Sequence, residues 1–267
     1  LRNLEDEIGF PLLNRTKKGV TLTERGREVF SAAQAIVARY DQMLRQISAL
    51  KEDSTEVISG KMNVHTSPMI SVCILPVVYV DYKHNFPKVQ LFCQERYQDD
   101  IVKEVSEHPG DVGYVLVANT LKHFFDNIPS NVELSLLNTY PIYMAMSPRH
   151  PLARQHTLSL QSIKDYPLII YEAGGIQGEH ALQNEVDMHI LLSTNNTNMT
   201  RELLNEGNAL MYSYPPYVTR GAFPECVHIP LHTKNIFFEL YMVHNKEANQ
   251  QQRRLIDSFS SIFQQYI

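Results

Sequence analysis

The sequence predicts an α/β protein that follows a short basic segment and one long helix. From Gly60 onward, short apolar runs alternate with helical patterns, which is typical of α/β folds. Between Thr23 and Leu50, apolar residues recur at steps of three and four, the spacing of a coiled coil. Between Gly9 and Arg27, five positive residues stand against one negative residue. These observations predict three structural parts: a basic N-terminal segment, a long helix and an α/β region.

Length and composition limit the class of protein. The 267 residues are 43% hydrophobic, so the chain can bury a substantial core, and its length favours two domains or one domain with an appendage. The net charge of -5 argues against nucleic-acid binding over the whole surface but allows a local basic patch. Three cysteines without a CxxC pair indicate neither a disulfide framework nor a cysteine zinc site, and they favour the cytoplasm. The longest apolar stretch, residues 70–80, is too short for a membrane span.

The N-terminal segment opens directly in a helical pattern, without an initiator methionine or a leader, which predicts that the sequence begins inside an element. Its excess of positive charge predicts a contact surface. The alternative is a solvated turn, because Lys17-Lys18-Gly19 is also ordinary hairpin chemistry.

The long helix is expected to contain about 28 residues and to be roughly 40 Å long. Thr21 or Thr23 is placed to cap its first amides, and Thr21 with Glu24 matches a capping box. An apolar stripe of this length must pair with another chain or with the body of the protein. We predict that it dimerises the protein through six residues: Phe30, Ala33, Val37, Tyr40, Leu44 and Ile47.

The α/β part follows a polar hinge at residues 52–56. The predicted strands include residues 61–65, 89–94, 112–117, 142–146, 168–171, 189–193, 209–213 and 237–244. The predicted helices include residues 70–85, 97–107, 160–164, 178–185, 199–206 and 249–266.

Signals of enzyme chemistry are few. The sequence contains no HExxH and no GxSxG motif. The glycine-rich segment at residues 172–178 lacks the GxGxxG pattern and a phosphate-loop lysine. His65 with Glu172 is the best titratable pair for an enzyme, and a single histidine beside a strand is more often a core or rim residue. We therefore predict no catalytic residue, no metal and no cofactor.

Two polar clusters, residues 65–67 and 193–197, stand where a predicted strand ends and a predicted helix begins. The carboxyl ends of strands face the ligand crevice in open α/β sheets, and a helix N-terminus favours negative charge. Plain N-capping is the alternative explanation. We predict a small organic anion bound by Thr66, Ser67, Thr194, Asn195, Asn196 and Thr197. The predicted apolar walls are Val115, Leu116, Tyr171 and Tyr212.

Short motifs run along the chain in a specific order. They are Leu4-Glu5, Ile8-Gly9, Leu12-Leu13-Asn14-Arg15, Val20 to Gly26, Leu75-Pro76, Phe86 to Val89, Gly110 to Gly113, His150 to Ala153 and Leu203 to Leu210. Their order and spacing resemble the LysR-type transcriptional regulator family over essentially the whole chain. Leu13 stands where the family has phenylalanine.

The resemblance implies three regions. Residues 1–22 would be the end of a winged helix-turn-helix, whose first helices are absent from this sequence, and residues 23–52 the linker helix. Residues 60–267 would be an effector domain that resembles a periplasmic solute-binding protein, with lobe one at 60–138 and 236–267 and lobe two at 139–235. The implied DNA contacts come from Arg2, Asn3, Arg15, Lys17 and Lys18.

The predicted function is a ligand-responsive, DNA-binding transcriptional regulator of the cytoplasm that is not an enzyme. Its expected partners are a double-stranded operator, a small-molecule effector and further copies of itself, as a homodimer or a homotetramer, without a membrane. The helix at residues 70–82 is the predicted contact for a tetramer. The alternative is a solute-binding protein or receptor module with the same effector fold, which leaves the basic segment and the coiled-coil helix unexplained.

Overall fold

The computed structural model describes most of the chain in two compact units, Leu1–Glu56 and Val57–Ile267. The described residues are 2–16, 19–23, 25–26, 29–30, 32–33, 36, 40, 58–171, 189–194, 196–220, 223–233 and 235–267.

The first unit begins with a short helix and a hairpin. Helix α1 (Arg2–Ile8) precedes strands β1 (Leu13–Thr16) and β2 (Gly19–Leu22), which pair antiparallel. The Glu5 carboxylate accepts hydrogen bonds from the backbone amides of Leu12 at 2.7 Å and Leu13 at 3.0 Å. This carboxylate therefore fixes the helix to the first strand of the predicted wing.

Thr23 caps the beginning of the predicted long helix. Its hydroxyl accepts from the Gly26 amide at 2.8 Å and donates to the Pro11 carbonyl at 2.9 Å. A Cβ atom at Gly26 would lie 2.0 Å from the backbone oxygen of Leu12, so only glycine fits this close approach. The motif Leu22-Thr23-x-x-Gly26 thus has a local physical cause.

The described residues between Arg25 and Tyr40 are helical. Three of the six predicted dimer residues are among them, and all three are exposed: Phe30, Ala33 and Tyr40. The other three, Val37, Leu44 and Ile47, lie outside the described residues.

In chain order, the second unit contains β3 (Gly60–Thr66), α2 (Pro68–Cys73), α3 (Leu75–Asn85), β4 (Val89–Glu95), α4 (Gln98–Glu107), β5 (Val112–Ala118), α5 (Lys122–Asp126), β6 (Val132–Tyr140), β7 (Tyr143–Met146), β8 (Leu158–Ser159), α6 (Leu160–Ile163), β9 (Leu168–Tyr171), β10 (Ile190–Thr194), α7 (Thr197–Asn205), β11 (Leu210–Ser213), α8 (Pro215–Arg220), β12 (Val227–His232), β13 (Phe238–Asn245) and α9 (Gln250–Phe263). A 3-10 turn, Gln264–Tyr266, follows α9.

The first sheet, with its helices, is called lobe one. Its order is β4-β3-β5-β13-β6, with β3 parallel to β4 and β5, and β13 antiparallel to β5 and β6. Helix α4 covers one face, where a Cβ atom at Gly113 would lie 2.3 Å from Ile101. Helix α9 packs on the other face, where the rings of Tyr114 and Phe263 stack with centroids 3.8 Å apart. Both faces of β5 are therefore buried.

The second sheet, with its helices, is called lobe two. Its order is β10-β9-β11-β7-β12-β8. Strand β9 runs parallel to β10 and β11, whereas β7 runs antiparallel to β11 and β12. Since β9, β10 and β11 are parallel neighbours, their carboxyl ends lie at one edge of this sheet. The sequence-derived lobe boundaries stay a prediction.

Several elements differ from the sequence prediction. Strands β6, β8 and β12 and helices α5 and α8 were not predicted. A proline inside a run argues against a central strand, but Pro230 is tolerated in β12 because its outer neighbour, β8, has only two residues. The predicted helix at 70–85 is divided into α2 and α3 at Ile74, two residues before Pro76. The predicted helix at 178–185 lies outside the described residues.

None of the helices in the described parts of the chain has both the length and the hydropathy that a membrane span requires.

Candidate functional site

Two buried hydroxyl groups stand at the carboxyl end of β3. Thr66 and Ser67 are both fully buried, and neither the Thr66 Oγ1 nor the Ser67 Oγ atom has a hydrogen-bond partner among the described residues. Ser67 occupies the N-cap position of α2, yet its side chain forms no cap hydrogen bond. Burying an unpaired hydroxyl costs about 1–3 kcal/mol, so plain N-capping does not account for these two residues.

A segment of lobe two contacts the helix that follows these hydroxyls. Tyr214, directly after β11, donates from its hydroxyl to the Met69 carbonyl at 3.1 Å and lies 3.0 Å from the Cys73 thiol. Burial, with the Cys73 thiol as a second cause, raises the pKa of Tyr214 well above its usual value, so Tyr214 is neutral and donates its proton. The carboxyl ends of β3 and β11 are thereby brought together.

The second polar cluster, residues 193–197, forms local hydrogen bonds, unlike Thr66 and Ser67. The Asn196 side chain accepts from the Met199 amide at 3.0 Å, and the Thr194 hydroxyl accepts from the Asn196 amide at 3.1 Å. Asn196 therefore caps α7, as the alternative explanation expected, and Thr194 holds the backbone of this cap residue. Thr197 is half-buried, and Asn195 lies outside the described residues.

The predicted apolar walls occupy different environments. Leu116 faces the core that contains Tyr114 and Tyr140, whereas Val115 packs on the opposite face of β5 against Ile101 of α4. The reason is strand geometry, since successive side chains point to opposite faces and cannot line the same crevice. Val115 is therefore not part of the site that we propose below.

The two predicted wall tyrosines are in lobe two. Tyr212 is buried in the core of this lobe with Met144 and Leu210, on the face opposite Met211. Tyr171 ends β9, and its side chain lies outside the described residues.

The sequence analysis missed an aromatic group around Tyr214, which contacts Met69 and Cys73 of α2, the helix that follows Ser67. The Tyr214 ring contacts Tyr140 at a centroid distance of 5.3 Å and Tyr217 at 5.1 Å. Tyr140 ends β6, and Tyr217 belongs to α8, two elements that were not predicted correctly. The Tyr214-Pro215-Pro216 sequence was the available signal, because prolines are favoured in the first turn of a helix that follows a strand.

His65 has a different partner from the one considered in the sequence. Its Nε2 atom lies 2.9 Å from Oδ2 of Asp111, and both residues are buried. Glu172 lies outside the described residues.

All three cysteines lie in described parts of the chain, and no disulfide joins any two of them. Burial raises the pKa of the Cys93 thiol. Burial, and then the Glu225 carboxylate, raises the pKa of the Cys226 thiol to about 11. Reactive cysteines have a lowered pKa, so these environments disfavour a thiolate.

We expect Cys226 to react with iodoacetamide at pH 7.5 more than about 100-fold more slowly in the folded protein than in urea, because the raised pKa lowers the thiolate fraction. The rate should rise with pH until about pH 11. Mass spectrometry of the alkylated peptides measures both effects. If Cys226 in the folded protein reacts at pH 7.5 as fast as it does in urea, its pKa is not raised.

The predicted DNA contacts lie in the first unit. The backbones of Arg2 and Asn3 belong to α1 and that of Arg15 to β1, but their side chains lie outside the described residues, as do Lys17 and Lys18. The Arg25 guanidinium lies 5.2 Å from the centre of the Phe10 ring.

Comparisons with known proteins agree on one family. The LysR substrate binding domain matches residues 55–264. The transcriptional regulator CzcR of Bacillus subtilis is 26% identical over 174 residues, which cover 65% of this chain and 53% of that protein. A hydrogen peroxide-inducible genes activator of Pectobacterium carotovorum is 23% identical over 185 residues, which cover 68% of this chain and 56% of that protein. The chain thus spans about half the length of these curated relatives.

A similar fold occurs in a solved structure, full-length CbnR complexed with its target DNA. The TM-score is 0.60 at 14% identity, with coverage of 98% of this chain and 87% of CbnR. These relatives and this structure are transcriptional regulators rather than enzymes. The family match covers well over half of the chain, and the motifs and the two-sheet fold agree with it. The chain therefore belongs to the LysR family of transcriptional regulators, with the family's substrate-binding domain at residues 55–264.

Proposed function

We propose that the chain is part of a DNA-binding transcriptional regulator whose second unit binds a small organic anion between its two lobes. The observation that carries the effector site is the pair of buried, unpartnered hydroxyls of Thr66 and Ser67. They lie beside the contact that Tyr214 of lobe two makes with the backbone of Met69. A ligand that bridges the lobes there would favour the closed arrangement over the open one.

A carboxylate suits this place because hydroxyl groups can donate to its oxygens, and such hydrogen bonds to a charged group are stronger than neutral ones. Tyr140 and Tyr214 supply apolar ring surface nearby. Thr194, Asn196 and Thr197 end or follow β10, whose carboxyl end lies at the same sheet edge as that of β11. We place them, with Asn195 and Tyr171, on the lobe-two wall, opposite Thr66, Ser67 and Leu116 of lobe one.

An electrophoretic mobility shift assay tests the function as a whole. It uses the protein in the length that its gene encodes and the intergenic DNA upstream of that gene, with and without a panel of small mono- and dicarboxylates. Specific binding that a carboxylate alters is the expected result. Binding of a solute without any DNA affinity would instead favour a solute-binding protein.

We expect the wing to contact DNA phosphates through Arg15, Lys17 and Lys18, because a short hairpin beside a recognition helix meets the DNA backbone. Arg2 should help to anchor the recognition helix, on which Asn3 is a further DNA contact. Replacing Lys17 and Lys18 by alanine should weaken binding equally on operator and unrelated DNA. The slope of log affinity against log salt should fall by about 1 for each lost contact. Fluorescence anisotropy at several salt concentrations measures the slope, and an unchanged slope would refute the phosphate contacts.

The exposed helical face predicts dimerisation. Phe30 is 51% exposed and Tyr40 55% exposed within the first unit, and side chains of this size are stabilised by a second helix. Replacing Leu44 or Ile47 by aspartate would bury a charge in that interface and should shift the dimer to monomer. Sedimentation velocity measures the shift, with Lys51→Asp, beyond the stripe, as a control. An undiminished dimer in both variants would exclude this interface.

A second contact, between the effector domains of two dimers, would produce a tetramer. Helix α3 exposes Tyr79 and Val80, and the edge strand β4 exposes Phe92. These residues extend the predicted contact at residues 70–82.

The peroxide response named for one relative is not carried over to this chain. The Cys73 thiol is buried, 3.0 Å from both the Met69 carbonyl and the Tyr214 hydroxyl. Cys226 is half-buried, and Cys93 is exposed, but both thiols have a raised pKa. A peroxide-reactive cysteine needs an accessible thiolate.

A further inference from the structure

Three side chains with metal-binding atoms converge beneath helix α4 in lobe one. His65 comes from β3, Glu104 from α4 and Asp111 from the residue before β5. One ring nitrogen and two carboxylate oxygens all lie within 4.8 Å of one another. We propose that these three residues bind a divalent transition-metal ion. The proposal does not depend on the effector or on DNA binding.

The distances suit one ion. A metal such as Zn²⁺ holds imidazole nitrogen and carboxylate oxygen about 2.0–2.2 Å away, so two ligands on one ion are separated by about 3–4 Å. His65 Nε2 and Asp111 Oδ2 are already 2.9 Å apart. Closing the site therefore requires Glu104, whose side chain is 29% exposed, to move by about 1 Å, a shift that a surface rotamer can supply.

The burial of the cluster is a second, independent observation. The side chains of His65 and Asp111 are 3% and 9% exposed. Nδ1 of His65 is buried and has no hydrogen-bond partner among the described residues. Buried polar atoms are ordinarily paired, so protein hydrogen bonds alone do not fully account for this buried imidazole.

The negative charges of Asp111 and Glu104 also favour a bound cation. Asp111 accepts from the Asn63 amide at 2.8 Å and lies 2.9 Å from the His65 ring, and no arginine or lysine pairs with it among the described residues. Buried carboxylates are normally paired with a cation or bound to a metal. The Arg96 guanidinium and the His108 ring lie 3.2 Å and 3.6 Å from Glu104, so both of these groups pair with Glu104 rather than with Asp111.

The ligand set selects the class of ion. An imidazole favours zinc, iron, nickel or copper over Mg²⁺ and Ca²⁺, which take oxygen ligands. The Asn63 amide fixes the orientation of Asp111, as second-layer groups do in metal sites. Three protein ligands leave a fourth position for water.

The test is isothermal titration of the whole chain, free of a histidine tag and treated with a chelator, with ZnCl₂ and separately with MgCl₂. We expect one Zn²⁺ per chain and affinity for Mg²⁺ at least about 100-fold lower. Glu104→Gln should lower the Zn²⁺ affinity at least about 10-fold, and the fold should stay intact because the residue is only half-buried and glutamine has the same shape. Glu133→Gln, which alters the exposed pair of Glu133 and His244, is the control and should change nothing.

A variant of Arg96 separates a metal site from a simple ion-pair network. Arg96→Gln removes a positive charge close to Glu104 and should tighten Zn²⁺ binding by about 10-fold, the effect of one unit charge about 6 Å from a divalent ion in water. Saturating Zn²⁺ should also raise the midpoint of thermal unfolding by about 5–10 °C in the wild type. Absent Zn²⁺ binding, or equal binding by the wild type and Glu104→Gln, would overturn the proposal.

Discussion

Replacing Thr66 by valine is expected to separate stability from effector response. In the ligand-free protein, the Thr66 hydroxyl is buried without a partner, so its removal should raise the free energy of unfolding by about 1 kcal/mol. The effector loses a hydrogen bond, which should lower its affinity about 5- to 150-fold. Urea unfolding measures the first effect. Titration with a carboxylate that shifts the wild-type melting temperature measures the second.

Thr200→Val is the matched control for the stability change. Thr200 is as buried as Thr66, but its hydroxyl donates to the Asn196 carbonyl at 3.0 Å. Losing that hydrogen bond should destabilise the protein by about 1 kcal/mol, the opposite sign to Thr66→Val. If the Thr66 variant is destabilised like the control and keeps wild-type effector affinity, the hydroxyl is structural and the site assignment fails.

DNA affinity without effector should be nearly unchanged in Thr66→Val, because this residue belongs to the second unit and the wing to the first. The mobility shift of the variant without carboxylate checks this expectation. A strong loss of basal DNA binding would show that the variant acts on the fold rather than on the ligand.

The second large effect is expected for Gly26→Ala. In an exposed helix, this change stabilises by about 1 kcal/mol because alanine has the higher helix propensity. Here the new Cβ atom would lie 2.0 Å from the backbone oxygen of Leu12, which also accepts the Thr23 amide at 2.9 Å. The clash should dominate and destabilise the first unit by about 3 kcal/mol.

Hydrogen exchange of the peptides that cover β1 and β2 measures this change, since the hairpin would lose its contact with the helix start. Gly110→Ala is the control, because the added methyl group meets only the flexible side chain of Gln252 in the second unit. Hairpin protection that rises in Gly26→Ala would mean that helix propensity outweighs the contact. If hairpin protection from hydrogen exchange falls in Gly26→Ala, the affinity of this variant for operator DNA should fall as well.

Local patterns were sufficient for much of the fold. The alternation of apolar runs predicted β3, β5 and β9 to within one or two residues, because each is a short continuous apolar or alternating run. Strand β6 was missed, although its neighbours were found. Its pairing with β13, a strand about one hundred residues later, determines its length, and no local pattern carries such information.

For the candidate site, too, the sequence showed some features and only the tertiary structure showed the others. The sequence by itself determined that Ser, Thr and Asn residues follow strand ends, and it placed Thr66 and Ser67 correctly at the end of β3. It could not determine which of them cap a helix and which remain unpartnered. That difference depends on contacts across the chain, as the docking of Tyr214 on Met69 illustrates.

The family and the order of its parts were therefore readable from the sequence, because short motifs and hydrophobic periodicity depend on neighbours a few residues apart. The tertiary structure alone decided which face of β5 packs against α4, so that Val115 faces that helix and Leu116 the core with Tyr114, and that His65 pairs with Asp111. The physical reason is that side-chain partners across a sheet are set by strand order and register. Neither quantity is encoded within a single segment of the chain.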